Sequence, residues 1–334
     1  MLAKASYLAK HHGMAVSAGL LARAWHSVLR TRMRHPTEAE IRVIRRRFAD
    51  LLRRDWRNAA AGVYPRRLLF DVPVREYLRA LPAAIADWPR VVRRIRRRDF
   101  HDLPAGVPRN RYPDYYLRNF HWQTDGWLSD RSARIYDFGV DLLFGGATDV
   151  MRRMVVPPVA SAVRGIDAPR ILDIACGTGR LLGALHAALP DARLHGLDLS
   201  PFYLAEARKR LADARELTLC VENAETLPFR DGYFDAVTSV FLFHELPRDA
   251  RRRVAAEALR VLRPGGRFVV LDSAQLSESA DIAYFLDEFH RLYHEPYYKG
   301  YLRDDLDAML AEVGFTAVGA EPAFVAKLAW GSRP

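Results

Sequence analysis

The chain has 334 residues, half of them apolar, with two cysteines. That length exceeds one ordinary domain and supplies a sizeable core, while so few cysteines exclude a disulfide scaffold or a cysteine metal cluster and fit a reducing compartment. The net charge of +11 is uneven: residues 1–115 carry +15 and residues 116–334 carry −4. Such asymmetry fits an anionic partner, whether a membrane surface, a nucleic acid or an acidic protein. It equally fits a plain preference for Arg on solvated faces, since only 5 of the 51 basic residues are Lys.

Residues 1–36 contain no acidic side chain. The apolar run Met14–Trp25 carries Arg23 and is too short to span a bilayer. A flexible tail or an interfacial amphipathic helix is expected there. Thr37 and Glu40 form a capping box after Pro36, and Ile41, Ile44, Phe48, Leu51 and Leu52 make one apolar stripe among arginines. A helix is therefore expected from Thr37 until Gly62 and Pro65 close it. A second helical region over 74–98 is expected to be interrupted at Pro82 and Pro89 and ends in five arginines, Arg93, Arg94, Arg96, Arg97 and Arg98. Together, residues 37–111 read as a basic helical region.

Residues 102–113 hold three prolines and read as a linker. Tyr112, Tyr115, Tyr116, Phe120, His121, Trp122 and Trp127 follow, too dense to be accidental in a turn-rich stretch. A pocket wall or lid and a packed hinge are both consistent with them. Ser129 caps an expected helix that reaches Phe144 and stops at Gly145-Gly146. A further helix over 148–164 is expected to bend at Pro157-Pro158. Residues 112–164 thus lead into a core that begins near 165.

The stretch Ile171-Leu172-Asp173-Ile174-Ala175-Cys176-Gly177-Thr178-Gly179-Arg180 organises that core. It reads as a buried strand, an acidic strand end, a glycine turn and a helix start. A glycine turn alone also fits dinucleotide binding. Asp173, however, would repel a pyrophosphate and suits an amino group, while the helix N-terminus suits one carboxylate. A ligand with an amino acid at one end and a nucleoside at the other is S-adenosylmethionine. Asp198 closes the next strand, 21 residues after Gly177, at the separation where a carboxylate reaches a ribose diol. Cys176 reads as a small residue packed under the ligand. Strands are expected near 170–174, 193–198, 217–221, 235–241, 267–272, 315–320 and 323–329, and helices near 180–189, 201–213, 247–262 and 303–313. The alternation predicts an α/β fold with a doubly wound, mostly parallel, seven-stranded sheet and an N-terminal helical extension.

Residues 165–334 resemble the class I S-adenosylmethionine-dependent methyltransferases, and within them the ubiquinone/menaquinone C-methyltransferase-like group. The resemblance rests on Asp173 to Gly179, Asp198, Asn223 to Phe229, Phe234-Asp235 and Val261 to Phe268. It implies that Asp173, Ala175, Cys176, Gly177, Thr178, Gly179, Asp198, Leu199, Asn223, Ala224 and Phe241 hold the cofactor, with Asn223-Ala224 at the adenine. Ser132 to Asp137 resembles the helix with a Tyr-Asp pair that closes over the cofactor, which adds Tyr136. The insertion 273–302, rich in aromatics and His, falls where this family builds its substrate cover.

The expected activity is methyl transfer to a small apolar or aromatic molecule, in the cytoplasm or peripherally at a membrane, with residues 1–100 facing an anionic surface. The acceptor atom, C, N, O or S, stays open. His244 and Glu245, just past the fourth strand, and Tyr297 of the insertion are the candidate catalytic residues, with His294 beside them. His244 suits either a general base or a positioning role. No resident metal is expected. A nucleic-acid methyltransferase with a basic platform is a second reading; Phe241-Leu242-Phe243-His244 stands where many such enzymes carry an Asn/Asp-Pro-Pro-aromatic tetrapeptide. A non-catalytic scaffold at a membrane is a third.

Overall fold

Ile171, Leu172 and Ile174 are fully buried, and the strand they build lies inside a seven-stranded sheet flanked by helices. The computed structural model describes residues 2–29 and 34–334, the side chains of 22–29 aside. The strands are β1 (Arg170–Ile174), β2 (Arg193–Asp198), β3 (Leu217–Val221), β4 (Phe234–Val240), β5 (Leu262–Ser273), β6 (Thr316–Ala323) and β7 (Ala326–Ser332). Their order is β3-β2-β1-β4-β5-β7-β6. All neighbours are parallel except β7, which runs antiparallel to β5 and to β6. The order reverses between β1 and β4, so their carboxyl ends open the crevice that such sheets use for ligands. The expected α/β architecture is the observed one.

The helices in chain order are α1 (Leu2–Leu29), α2 (Glu38–Ala60), α3 (Val74–Arg97), α4 (Asp130–Leu143), α5 (Thr148–Arg153), α6 (Val156–Ala162), α7 (Arg180–Ala188), α8 (Pro201–Arg210), α9 (Arg248–Val261), α10 (Ala283–Leu292), α11 (Tyr298–Leu302) and α12 (Leu306–Val313). Thr37 caps α2 through the complete capping box, and Ser129 caps α4. The Asp305 carboxylate caps α12 and delays its start to Leu306.

Three local expectations need correction. First, α3 runs unbroken through Pro82 and Pro89. Both prolines are exposed, so the carbonyls that lose a partner reach water and the helix survives. Second, the region 148–164 is two helices, parted at Met154-Val155 rather than at the prolines; Pro157-Pro158 sit in the first turn of α6, where no N–H is needed. Third, residues 2–29 are helical rather than a loose tail. Tyr7 is fully buried and its hydroxyl donates to Asp55 of α2 at 2.6 Å. That carboxylate also accepts from Tyr64 at 2.7 Å and from Arg153 of α5 at 2.8 and 2.6 Å. Of the apolar run Met14–Trp25, the side chains beyond Leu21 lie outside the described ones.

The N-terminal helices share a core with the sheet. Tyr7, Phe48, Leu51, Leu52 and Tyr64 belong to the same buried cluster as Ile171, Leu182 and Val269. The segment 102–113 is irregular and tied down: Arg94 pairs with Asp102 at 3.0 Å, and Asn119 donates to the Asp102 carbonyl at 3.0 Å. On the other face of the sheet, Phe234, Phe243 and Phe268 pack with α9 and α12.

Candidate active site

The glycine turn between β1 and α7 is built by three residues with positive φ, each for its own reason. Ala175 (φ 55°) stands in the left-handed region, a strained place for a residue with a Cβ, at the cleft wall. Gly177 (φ 54°) faces open space: a Cβ there would meet nothing within 4 Å. Gly179 (φ 77°) is crowded instead, because a Cβ would come within 3.1 Å of Ala207 and Leu211 on the α8 side. Gly177 therefore opens the turn to a ligand, and Gly179 lets α7 close on α8. Cys176 is buried, and burial pushes its thiol well above the ordinary range, so it packs rather than reacts.

Asp198 ends β2 at the same level. Its Oδ2 accepts from the Gly177 amide at 2.9 Å and its Oδ1 from the Ser200 amide at 2.8 Å. Both oxygens are thus fixed, with lone pairs left for the cleft they line. Burial pushes this carboxyl up to about 6 against the pull of those two amides, and the charge of Glu245 adds to the rise.

The cleft between these groups and the aromatic segment holds about 800 Å³ of empty space, counted out to solvent. On the turn side lie Ala175, Gly177, Asp198, Leu199, Asn223 and Ala224; opposite stand Tyr115, Tyr116, Phe120, Trp127, Tyr136 and Tyr203. The aromatic stretch is therefore a pocket wall. Trp127 sits edge-on to Tyr136 and Tyr203, at 5.3 and 5.6 Å between ring centres, so the wall is braced by its own members. Phe241 and Glu245 close the inner end. Phe241 holds φ 57°, with its amide on Leu271 at 2.8 Å and its ring stacked on Phe144.

Helix α4 is clamped over the turn. Asp137 accepts from the Thr178 hydroxyl, from Arg180 at 3.0 Å and from Arg210 at 2.9 Å. Burial would raise this carboxyl, but Arg180, Arg210 and Arg152 outweigh it and hold it below the ordinary value. Tyr136, the next residue, is thereby held against the cleft.

Several expected site residues lie behind the wall. Asp173 is buried, with its Oδ1 accepting from the Thr238 hydroxyl at 2.8 Å; burial pushes it up to about 7. One of its oxygens is thus held by the neighbouring strand, and the residue is not among those that line the cleft. Thr178 and Gly179 act through the clamp and the helix contact just described. His244 is also buried: its Nδ1 lies 2.7 Å from Asp272 Oδ1, at the end of β5. Tyr297 does not line this cleft; its ring meets Tyr115 edge-on at 6.4 Å. His294 is a packing residue, stacked on Phe100 at 4.0 Å.

Glu295 went unforeseen. It is buried beside His121, whose Nδ1 lies 3.0 Å from Glu295 Oε1. Burial pushes its carboxyl up to about 8, opposed by His121 and reinforced by Glu245 and Asp272. Tyr203 and Glu222 of the cleft were also missed. Tyr203 had a weak signal, an aromatic three residues past the Ser200 cap.

Residues 171–266, which span the glycine turn, Asp198, Asn223-Ala224 and the inner end of the cleft, match the family model of a methyltransferase domain. The chain carries a class I methyltransferase domain. S-adenosylmethionine is the cofactor of that class. The chain is similar to a ubiquinone/menaquinone biosynthesis C-methyltransferase UbiE of Methylobacterium nodulans, at 40% identity over 144 residues, 42% of this chain and 55% of that protein. It is similar to the UbiE of Desulfotalea psychrophila, at 35% over 169 residues, 51% of this chain and 65% of that protein. A malonyl-[acyl-carrier protein] O-methyltransferase of Geobacter sulfurreducens is 34% identical over 157 residues, 46% of this chain and 58% of that protein. The matches thus span less than two thirds of each of these relatives.

Proposed function

We propose that the chain is an S-adenosylmethionine-dependent methyltransferase whose acceptor is a small apolar or aromatic molecule. The observation that carries this is the pairing, across one cleft, of a fixed carboxylate and an open glycine turn with a wall of six aromatic rings. The residues present fit the cofactor. Asp198 has lone pairs for a ribose diol, Gly177 leaves room for close approach, and Asn223-Ala224, lining the same cleft, would meet the adenine. When bound, the cofactor supplies an activated methyl group on a sulfonium. The chain's own task is then mainly to align the acceptor and exclude water, for which a rigid aromatic wall is suited. Glu245 is the candidate catalytic residue at the wall, with His244 behind it as a positioning residue; Tyr297 would act through Tyr115. The relatives' names speak for carbon and for oxygen acceptors, so the acceptor atom is left out of the proposal.

We further propose that residues 1–100 meet an anionic membrane from which an apolar acceptor is drawn. Supporting it, Val74, Leu78, Leu81, Ile85 and Trp88 form an exposed stripe along α3, among exposed Arg75, Arg79, Arg90 and Arg93. No described helix is long and apolar enough to cross a membrane.

Titration calorimetry with S-adenosylmethionine and S-adenosylhomocysteine tests the central reading. Wild type should bind both, and Asp198→Ala should bind at least about tenfold more weakly, as loss of a charged hydrogen-bond acceptor implies. A wild type that binds neither sinks it.

A further inference from the structure

We propose that His121, His244, Glu245 and Glu295 form a binding site for one divalent transition-metal ion behind the inner end of the cleft, which Glu245 lines. These side chains come from three distant segments: the aromatic wall, the turn after β4 and the cover insertion. Each offers a ligand atom, and the four atoms lie within 4.8 Å of one another. The set is two imidazoles and two carboxylates, a donor mixture suited to Zn²⁺, Fe²⁺ or Mn²⁺.

Three features argue that the cluster is built to hold a cation. The first is Glu295. Its side chain is fully buried, and neither carboxylate oxygen has a hydrogen-bond partner. The contact with His121 Nδ1 is close but off the hydrogen-bond line, since that nitrogen is without a hydrogen bond too. A buried, unsatisfied carboxylate is costly, and a cation removes the cost. The second is the support of His244. Asp272 holds Nδ1 at 2.7 Å and is itself fixed by the amides of Phe243 and Ser273, each at 2.7 Å. With Nδ1 engaged, Nε2 is the nitrogen left for the cluster; a carboxylate–imidazole pair of this kind sets tautomer and ring orientation in metal sites. The third is the backbone at His121-Trp122, two successive non-glycine residues at φ 52° and 60°. The strained turn is pinned to the cover insertion by Trp122 Nε1 on the Leu292 carbonyl at 2.9 Å and by His121 N on the His294 carbonyl at 3.3 Å. It sets the His121 ring between the two carboxylates, with Nδ1 3.0 Å from Glu295 and Nε2 3.6 Å from Glu245, and one of these nitrogens would serve the ion.

Metal-to-donor distances of about 2.1 Å need the donors no more than about 4.2 Å apart, so the widest pair must close slightly. Glu245, half-buried on the cleft side, has the freedom to do so. No sequence spacing announces the site, because the ligands lie 50 or more residues apart apart from the adjacent His244-Glu245.

The inference stands independently of methyl transfer. Full-length protein, stripped by chelator and dialysed, is titrated with ZnCl₂ by calorimetry, and its zinc content is measured after gel filtration. A parallel titration with CoCl₂ follows visible absorption. One equivalent of zinc per chain and intense cobalt bands of a four- or five-coordinate ion are expected. Glu295→Gln and His121→Gln should each weaken zinc at least about tenfold while far-ultraviolet circular dichroism and S-adenosylmethionine affinity report an intact fold. Wild type that retains no zinc, or folded variants with wild-type zinc affinity, would overturn the proposal. Should a variant fail to fold, the wild-type cobalt spectrum decides, a hexaaqua-like spectrum refuting it. Failure to bind S-adenosylmethionine with zinc bound normally would refute the cofactor reading alone.

Discussion

The Thr178 hydroxyl lies 3.0 and 2.9 Å from the two oxygens of Asp137 and shares its one proton between them, and so joins the glycine turn to the helix that covers it. Arg180 and Arg210 complete the clamp on the same carboxylate. Asp137→Asn should keep the shape and lose the charge that both guanidinium groups face. A broken buried ion pair costs about 3 kcal/mol. The sign with pH follows from the lowered carboxyl: its stabilisation is present above the ordinary value of about 4 and is lost as pH falls through the lower folded value. Urea midpoints for wild type and variant should therefore differ clearly at pH 7 and converge in acid. Equal midpoints at pH 7 would remove the clamp from the account.

Asp198 carries the second prediction. Its carboxyl sits at about 6 in the folded chain, above the ordinary carboxylate value. For the free protein this group favours the fold at low pH, and that contribution is lost as pH rises through about 6. For cofactor binding the sign is reversed, because ribose hydroxyls donate best to the ionised form. Affinity for S-adenosylhomocysteine should thus fall as pH drops below about 6 in wild type. In Asp198→Asn the affinity should be lower and flat across that range. A wild-type affinity that ignores pH between 5 and 7 would count against the ribose role.

Much of this site was legible because its chemistry is local in sequence. The turn from Ala175 to Gly179 and the acid at Asp198 sit at strand ends, where a short apolar run stops, and each carries its own spacing. The seven strands follow from the same runs. Asp173 shows how far local reading goes: a carboxylate at a strand end looks like a ligand group, and in the fold Thr238 on the neighbouring strand holds one of its two oxygens. The cluster around Glu295 was not legible at all. Its members converge only once the aromatic segment folds over the sheet, and pairwise burial at that distance has no sequence period. Pro82 and Pro89 show the converse. The general rule breaks a helix there, and only the exposure of that face explains why α3 continues.

Asp55 ties the N-terminal helices to α5, which leads into the methyltransferase domain, and one folding unit is expected. Tyr7, Tyr64 and Arg153 all donate to this fully buried carboxylate, which links α1, α2 and α5. Burial opposes its ionisation, but Arg153 and the two hydroxyls outweigh that and keep it low. Asp55→Ala leaves the Arg153 guanidinium buried without its partner and should cost about 3–5 kcal/mol. Because the shared core reaches Ile171 and Leu182, tryptophan fluorescence and far-ultraviolet circular dichroism should report one coincident urea transition, shifted as a whole. Two separate transitions would show that the N-terminal region is an independent unit.

The outer face of α3 was expected to be basic, and it is an apolar stripe with arginines beside it. Val74, Leu78, Leu81 and Ile85 are each at least 40% exposed, on one side of a helix whose opposite side packs through Ala80 and Asp87. Apolar side chains between cations are suited to the boundary of an anionic bilayer, where burial and charge attraction add. Sedimentation with vesicles should then show binding that needs anionic lipid and weakens with salt, since exposed charges are screened within about 10 Å at 0.1 M. Leu78→Asp with Ile85→Asp removes the stripe while leaving the arginines, and should abolish binding at low salt as well. Both positions are exposed, so the fold and the cofactor affinity should be unaffected. Binding retained by the double variant would leave only a charge effect, and equal binding to neutral vesicles would leave none.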